Sequence, residues 1–261
     1  MTAKSEAFRA LHAGDPFIIP NPWDAGSAKV LAALGFKALA TTSSAFAFTL
    51  GRPDGGVNLD EVVAHTRALD EATPLPVSVD LENGYGAAPE DAARAVEAVR
   101  AAGAAGGSIE DYDPEAGIYE RGHAVERIAA AVEAAGGELV LTARAENLIR
   151  GVDDLDDTIA RLQAYEAAGA DVLYAPGLRD AEQVRTVCAA VGRPVNVLAH
   201  GGLTMAEIAE AGGQRVSVGG ALGWAAVHAF AEAAVKMRDE GDFSGLRGGK
   251  KVAAWLGGTQ A

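Results

Sequence analysis

The sequence predicts an α/β fold: a single-domain (β/α)8 TIM barrel with a short N-terminal helix and a C-terminal helical extension. Three observations carry that expectation. Short apolar, often β-branched runs alternate eight times with Ala-rich segments of helical spacing along 261 residues. Most helical segments close on a glycine where a C′ residue belongs, at Gly35, Gly103, Gly136, Gly169, Gly192 and Gly212. No linker divides the chain and no Gly-x-Gly-x-x-Gly follows the first strand, which disfavours a doubly wound sheet.

In chain order, residues 1–14 read as a short amphipathic helix, with Phe8 and Leu11 apolar and Lys4, Glu6 and Arg9 charged. Strands are expected at 17–19, 38–42, 77–80, 107–110, 139–143, 172–175, 195–198 and 216–218. The third is the most distinct, a β-branched run entered from Pro74 and Pro76 and ending in Asp80, Glu82 and a Gly-rich turn. Helices are expected at 25–34, 59–72, 89–102, 124–135, 155–168, 180–191, 204–211 and 222–240. Residues 1–261 then form one domain. The stretch 241–261 is an extension holding Gly248, Gly249, Lys250 and Lys251, whose Trp255 and Leu256 are expected to pack on this barrel or on a neighbouring subunit.

Composition excludes several classes. A formal charge of −14 with no basic run argues against nucleic acid as a partner. No stretch is long and apolar enough to span a membrane, and residues 1–14 lack the apolar core of a signal peptide, so a soluble cytoplasmic protein is expected. One cysteine permits neither an internal disulfide nor a Cys-based zinc site. Cys188 falls in a helical stretch of the outer ring and reads as a small apolar residue.

A barrel places functional residues at the C-terminal ends of its strands. Those positions hold Asn21, Trp23 and Asp24; Ser43 and Ser44; Asp80 and Glu82; Glu110 and Asp111; Arg144 and Glu146; Tyr174; Asn196 and His200; and Gly219 and Gly220. Acids from adjacent strands facing an arginine from the next form a constellation, whereas the opposite ends offer Gly, Pro, Ala and Lys37. Asp80 and Glu82, at i and i+2, are expected on one side of an extended chain, where two oxygen ligands suit a hard cation such as Mg²⁺. Asp24 is expected to cap the helix that follows it. Glu110 and Asp111 have a capping alternative as well.

These residues resemble the isocitrate lyase / phosphoenolpyruvate mutase superfamily. The resemblance rests on Asn21-Pro22-Trp23-Asp24-Ala25-Gly26-Ser27-Ala28, Gly35-Phe36-Lys37-Ala38, Thr42-Ser43-Ser44 and Leu50-Gly51-Arg52-Pro53-Asp54. It continues through Asp80-Leu81-Glu82-Asn83-Gly84-Tyr85-Gly86, Ser108-Ile109-Glu110-Asp111 and Ala143-Arg144-Ala145-Glu146, and spans roughly residues 17–223. It implies a Mg²⁺-dependent enzyme, Mn²⁺ being a possible substitute, acting on a small 2-oxo or 2-hydroxy carboxylic acid. Asp80 would be the main metal contact, with Glu82 (where the family usually has Asp) and Glu110 arranging metal-bound water and Asp54 supporting the site. Trp23, Ser43, Ser44, Asn196 and Arg144 would hold the substrate, Arg144 as a fork matching its carboxylate. Superfamily members often exchange their last helices, which implies a homodimer or homotetramer.

The departures from the family bear on the reaction. Where the lyase branch carries Lys-Lys-Cys-Gly-His, residues 112–121 read Tyr-Asp-Pro-Glu-Ala-Gly-Ile-Tyr-Glu-Arg, and the mutase Lys-Thr-Asn is also missing. What remains suits an oxaloacetate-type decarboxylation, with His200 protonating the product carbanion or holding the departing carboxylate; the other reading of His200 is a histidine fixed within a Gly-rich turn. The rivals are 2-methylisocitrate-like C–C cleavage, phosphonopyruvate P–C chemistry, phosphate binding at Gly201-Gly202 and Gly219-Gly220, and a non-catalytic dicarboxylate-binding relative. Phe46, Ala47, Phe48 and Tyr119 are candidates to line an apolar side pocket.

Overall fold

A computed structural model describes residues 2–246 and 249–258; Gly248 and the other expected positions at 1, 247 and 259–261 lie outside the described residues. The strands are β1 (Phe17–Ile19), β2 (Leu39–Ala40), β3 (Val77–Asp80), β4 (Gly106–Glu110), β5 (Tyr112–Asp113), β6 (Gly117–Ile118), β7 (Val140–Arg144), β8 (Val172–Tyr174), β9 (Val195–Leu198) and β10 (Arg215–Ser217). Eight of them form one parallel sheet in the order β1-β10-β9-β8-β7-β4-β3-β2, and β5 and β6 form a separate antiparallel hairpin. The seam between β1 and β2 is closed by the Ala40 N–H donating to Pro20 O at 3.1 Å. Asn21 staples the same seam: its Nδ2 donates to Thr41 O and its Oδ1 accepts from the Val218 N–H, both at 2.9 Å. All eight expected barrel strands are present, within a residue or two at their ends.

Around the sheet run α1 (Ala3–Leu11), α2 (Ala25–Ala33), α3 (Ser43–Thr49), α4 (Leu59–Ala72), α5 (Pro89–Ala101), α6 (Arg121–Ala135), α7 (Leu155–Ala167), α8 (Ala181–Ala190), α9 (Met205–Glu210), α10 (Ala221–Glu240) and α11 (Lys250–Leu256). Their starts follow from capping chemistry. Asp24, Asn58, Asp154, Asp180 and Thr204 each accept a backbone N–H three residues on. Asp24 is therefore the helix cap the sequence led us to expect. Small apolar residues form the buried face of α5, where Ala92, Ala95, Val96 and Val99 recur at helical spacing and let the helix lie close to the sheet.

Two elements differ from expectation. The stretch after β2, where no helix is expected, forms α3, whose Ala45 and Ala47 are buried. Residues 112–118 form a hairpin, an element absent from the expected strands, because Asp113 Oδ1 accepts the N–H groups of Glu115 and Ala116 and closes the turn.

The lower end of the barrel is plugged by α1. Phe8 is fully buried among Phe17, Ile19, Ala38, Val140 and Val172, and a Cβ on Gly106 would lie 2.5 Å from its ring. The upper end is braced by a buried ion-pair network. Asp111 Oδ1 accepts the Glu146 N–H at 2.8 Å, while its Oδ2 accepts from Tyr165 Oη at 2.5 Å and Arg161 Nη1 at 3.1 Å. Asp111 thus binds α7 to the ends of β4 and β7 and caps no helix. After β3 the chain turns through left-handed Glu82, Gly84 and Tyr85, and buried Arg127 holds that turn by donating to the carbonyls of Asn83, Gly86 and Ala88. At Gly84 a Cβ would come within 2.8 Å of the Ala92 backbone, so the turn needs glycine.

The C-terminal elements pack differently from the ring helices. Helix α10 buries only Gly223 and leaves Trp224, Phe230, Val235 and Met237 exposed. Helix α11 lies against α2 of its own chain, where Trp255 and Leu256 face Lys29, Ala32 and Ala33. Among the described residues, no helix is long and apolar enough to cross a membrane.

Removing one partner of a buried ion pair costs about 3–5 kcal/mol. Asp111→Ala is therefore expected to lower the chemical-denaturation midpoint sharply. A midpoint within error of wild type would show that the network does not brace the barrel.

Candidate active site

The upper ends of the strands enclose a cavity of about 220 Å³ bordered by Ser43, Ser44, Asp54, Asp80, Arg144 and Tyr174, among others. At its wall stands the Arg144 guanidinium, delivered by the last residue of β7. Its Nη1 lies 2.8 Å from Asp80 Oδ1, its Nη2 3.0 Å from Glu110 Oε2 and its Nε 3.0 Å from Glu146 Oε1. The group also sits 5.3 Å above the Tyr174 ring. Burial works against the charge on Arg144, but Glu146, Glu110 and Asp80 outweigh it and hold its pKa well above the ordinary arginine range.

The acids come from three neighbouring strand ends because β3, β4 and β7 are adjacent and in register: Asp80 pairs with Ser108, and Glu110 with Arg144. Asp80 is further fixed by the Ser43 N–H, which donates to Oδ2 at 3.2 Å, and by its own N–H donating to Thr41 Oγ1 at 2.8 Å. Glu82 reaches this neighbourhood by a different route from the expected strand alternation. The strand ends at Asp80, and Glu82 takes a left-handed turn conformation with φ of 49°. Burial, then the charges of Asp80 and Asp54, push its carboxyl up to about 7. Glu110 is likewise raised well above the ordinary carboxylate range, by burial first and then by Glu146 and Asp80, although Arg144 opposes the shift.

Several expected site residues lie elsewhere. Trp23 borders a separate apolar groove of about 280 Å³ between α3 and α10, with Phe48, Trp224 and Phe230, and is not part of the central cavity wall. His200 is exposed in the turn after β9; its Nδ1 accepts the Gly202 N–H at 3.2 Å, leaving Nε2 to donate to Leu178 O at 3.1 Å. Asn196 does border the cavity, but Oδ1 accepts from Arg215 and Nδ2 donates to Ser217 Oγ. The four residues expected to share an apolar pocket are scattered. Phe46 stacks on His65, Ala47 is core, Phe48 meets Trp224, and Tyr119 lies beneath Arg127. Cys188 is partly buried, and burial pushes its thiol up to about 11, as expected of an inert side chain.

Sequence reasoning also missed participants. Arg150 stacks on Tyr112 at 3.7 Å and lies 3.4 Å from Glu110 Oε1 and 3.3 Å from Glu146 Oε2. Its i+4 spacing from Glu146 was the available signal. The barrel interior is also more polar than expected, with Ser78, Ser108, Arg215 and Ser217 bordering the cavity. Arg215 and Ser217, two residues apart on β10, share one face, and Ser78 and Ser108 come from neighbouring β3 and β4.

The donor set fits a divalent cation. Among the described residues, Asp54, Asp80, Glu82, Glu110 and Glu146 outnumber Arg144 and Arg150, and the surplus shows in the raised pKa values of Glu82 and Glu110. No three of the acidic, His or Cys side chains among those residues converge as a ready-made cage. Mg²⁺ is commonly bound through one or two carboxylates while keeping several waters. Of this set Asp54 and Asp80 border the cavity, and Asp80 is the one paired with Arg144.

The sequence profile of the phosphoenolpyruvate phosphomutase family matches residues 8–238. An uncharacterized protein of Mycobacterium tuberculosis is 35% identical over 87% of both chains. An oxaloacetate decarboxylase of Bradyrhizobium sp. is 34% identical over 83% of this chain and 77% of its own length. A 2-methylisocitrate lyase of Escherichia coli is 33% identical over 73% and 68%. Among solved structures, a Burkholderia cenocepacia protein provisionally described as a lyase/mutase superposes with a TM-score of 0.95 at 49% identity, covering 99% of this chain and 98% of that one. A 2,3-dimethylmalate lyase, described as a PEP mutase/isocitrate lyase superfamily member, superposes with a TM-score of 0.87 at 30% identity, covering 99% and 95%.

Without metal, folded Glu82 keeps its proton up to about pH 7, whereas the unfolded chain releases it near 4.5. The folded state then binds more protons across that window, so stability falls as pH rises through it. Glu82→Gln is expected to melt above wild type at pH 8 in chelator, with the gap closing toward pH 4.5. The same difference at both pH values would refute the crowding of Glu82 by its neighbours.

Proposed function

The chain belongs to the phosphoenolpyruvate phosphomutase family, within a superfamily whose members similar to it include carbon–carbon lyases, and we propose that it is a Mg²⁺-dependent lyase decarboxylating an oxaloacetate-type 2-oxo acid. The observation that carries this reading is the pairing of strand-end acids around Arg144 with a 112–121 hairpin that contains no Cys, His or Lys. Isocitrate-type cleavage and phosphoryl migration need a proton-transfer or phosphoryl-handling side chain in that segment, whereas decarboxylation does not.

In this reading Asp80 holds the cation, with Glu82 and Glu110 behind it and Asp54 facing them across the loop. A Mg²⁺ or Mn²⁺ ion held there would supply Lewis-acid polarisation of the 2-oxo group. The chain's own groups do the rest. The backbone at Ser43 and Ser44 and the Arg144 fork orient the carboxylate of the 2-oxo head. Tyr174, held protonated because burial lifts its hydroxyl to about 12, borders the cavity as a source of the proton that replaces CO₂. His200 takes that role only if its turn opens, since both ring nitrogens are engaged. An acidic composition and a single cysteine fit a cytoplasmic place of work.

The assembly proposed is a homodimer, or a homotetramer built from two such dimers, with α10 at the interface. A 20-residue helix with only Gly223 buried, carrying Phe230 at 74% exposure, leaves more apolar surface than an isolated subunit usually shows. A second copy supplies the matching face, because its own α10 and the groove of Trp23 and Phe48 are equally uncovered. Sedimentation is expected to give a dimer or larger, and Phe230→Asp to shift it toward monomer. A monomeric wild type would remove this part of the proposal.

The reaction is tested by NMR of the protein with oxaloacetate, 2-methylisocitrate or phosphonopyruvate, each with Mg²⁺ and with chelator. The expected result is oxaloacetate converted to pyruvate faster than background, lost with chelator, and lowered roughly 100-fold or more by Asp80→Ala in a barrel that still folds. Pyruvate with succinate from 2-methylisocitrate, phosphate from phosphonopyruvate, or full activity in Asp80→Ala would refute it.

A further inference from the structure

Arg215 opens β10 at the end of the barrel remote from the strand-end acids, and its side chain runs inside the barrel at 5% exposure. Its Nε donates to Asn196 Oδ1 at 2.8 Å, its Nη2 to Thr142 Oγ1 at 3.0 Å, and its Nη1 lies 3.2 Å from His12 Nε2. None of these partners is anionic. His12 is neutral, its pKa lowered to about 3 by burial and then by Arg215 itself. Its Nδ1 faces Phe8 O at 2.8 Å, so that nitrogen carries the proton and Nε2 is left to accept from Arg215. Among the described residues no carboxylate forms an ion pair with Arg215, whereas Arg144 meets three.

A buried charge is costly unless paired, and neutral dipoles offset only part of that cost. Burial does lower the Arg215 pKa, to about 10, which still leaves a full cation at neutral pH. That cation borders the cavity, where Ser78, Ser108 and Ser217 also stand. The region can therefore solvate a second anion, separate from the head carboxylate assigned to the Arg144 side of the cavity. The helix α1 acquires a role as well, since His12 is the group that props the guanidinium from below.

We propose that Arg215 is a specificity residue, the deep anion contact that selects acids carrying a second carboxylate remote from the 2-oxo or 2-hydroxy head. This rests on the metal-site reading above. In a decarboxylation that second carboxylate is the one that departs, so the contact acts on the bound ground state. Its loss raises KM rather than lowering kcat.

Lactate and malate differ by this one carboxylate, and neither is consumed by decarboxylation. Calorimetric titration with Mg²⁺ is expected to show wild type binding malate at least about tenfold tighter than lactate, the scale of one charge-assisted contact. Arg215→Met should bring the ratio close to one with lactate affinity unchanged, and Arg215→Lys should keep most of the preference. A wild-type ratio near one overturns the proposal with no variant needed. So does a preference that survives in a folded Arg215→Met. If neither acid binds with Mg²⁺, or binding is indifferent to chelator, the metal-site reading falls and this inference with it. A Mg²⁺-dependent binding of both acids at equal strength removes Arg215 alone.

Discussion

One guanidinium set among buried carboxylates organises this molecule. Arg144 touches acids from the ends of β3 and β4 and from the loop after β7, and each is buried or nearly so; Glu146 is fully buried. Charges this far from water are tolerable only in each other's company. Arg144 without its acids would be an isolated buried cation, and the acids without Arg144 would be driven to protonate. The arrangement is also unbalanced toward negative charge. Glu82 and Glu110 both hold their protons more tightly than ordinary carboxylates. An added divalent cation relieves that imbalance, which is the physical link between the fold and metal chemistry.

Rigid parts around the cluster keep it in register. The Asp111–Arg161–Tyr165 network ties the β4 and β7 ends to α7, so Glu110 and Arg144 cannot drift apart. Arg127 fixes the turn that carries Glu82, and the 112–118 hairpin is drawn over Arg150 by the stacking of Tyr112. At the other end, α1 closes the barrel with Phe8 and reaches Arg215 through His12. The cavity thus has a cation embedded in acids at its wall and a second cation among neutral groups deep inside.

The strand-end residues Asp80, Glu110 and Arg144 were legible because a parallel barrel directs the C-terminal ends of its strands to one rim, so position along a strand reports location. The capping role of Asp24 was equally legible, being local. His200 and Trp23 were not. Both follow strand ends, but a loop residue can face inward, sideways or into its own turn, and His200 is claimed by Leu178 O and Gly202 N–H. Helix α3 escaped notice because it is an extra helix between β2 and α4, where one-strand-one-helix alternation leaves no place for it.

What the sequence by itself determined is the barrel, its strand order around the rim, and the identity of the acids and arginine that meet there. Hydrophobic period, glycine stops and strand-end position are properties of nearest neighbours along the chain, and they suffice for those. Only the tertiary structure decided that Glu82 arrives through a left-handed turn, that Arg150 joins the cluster, and that α10 stays uncovered. It also decided that Arg215, at the supposedly featureless end, lies inside the barrel without an anion. Each depends on which side chains from distant segments compete for the same space and the same hydrogen bonds. A pattern along the chain does not contain that competition.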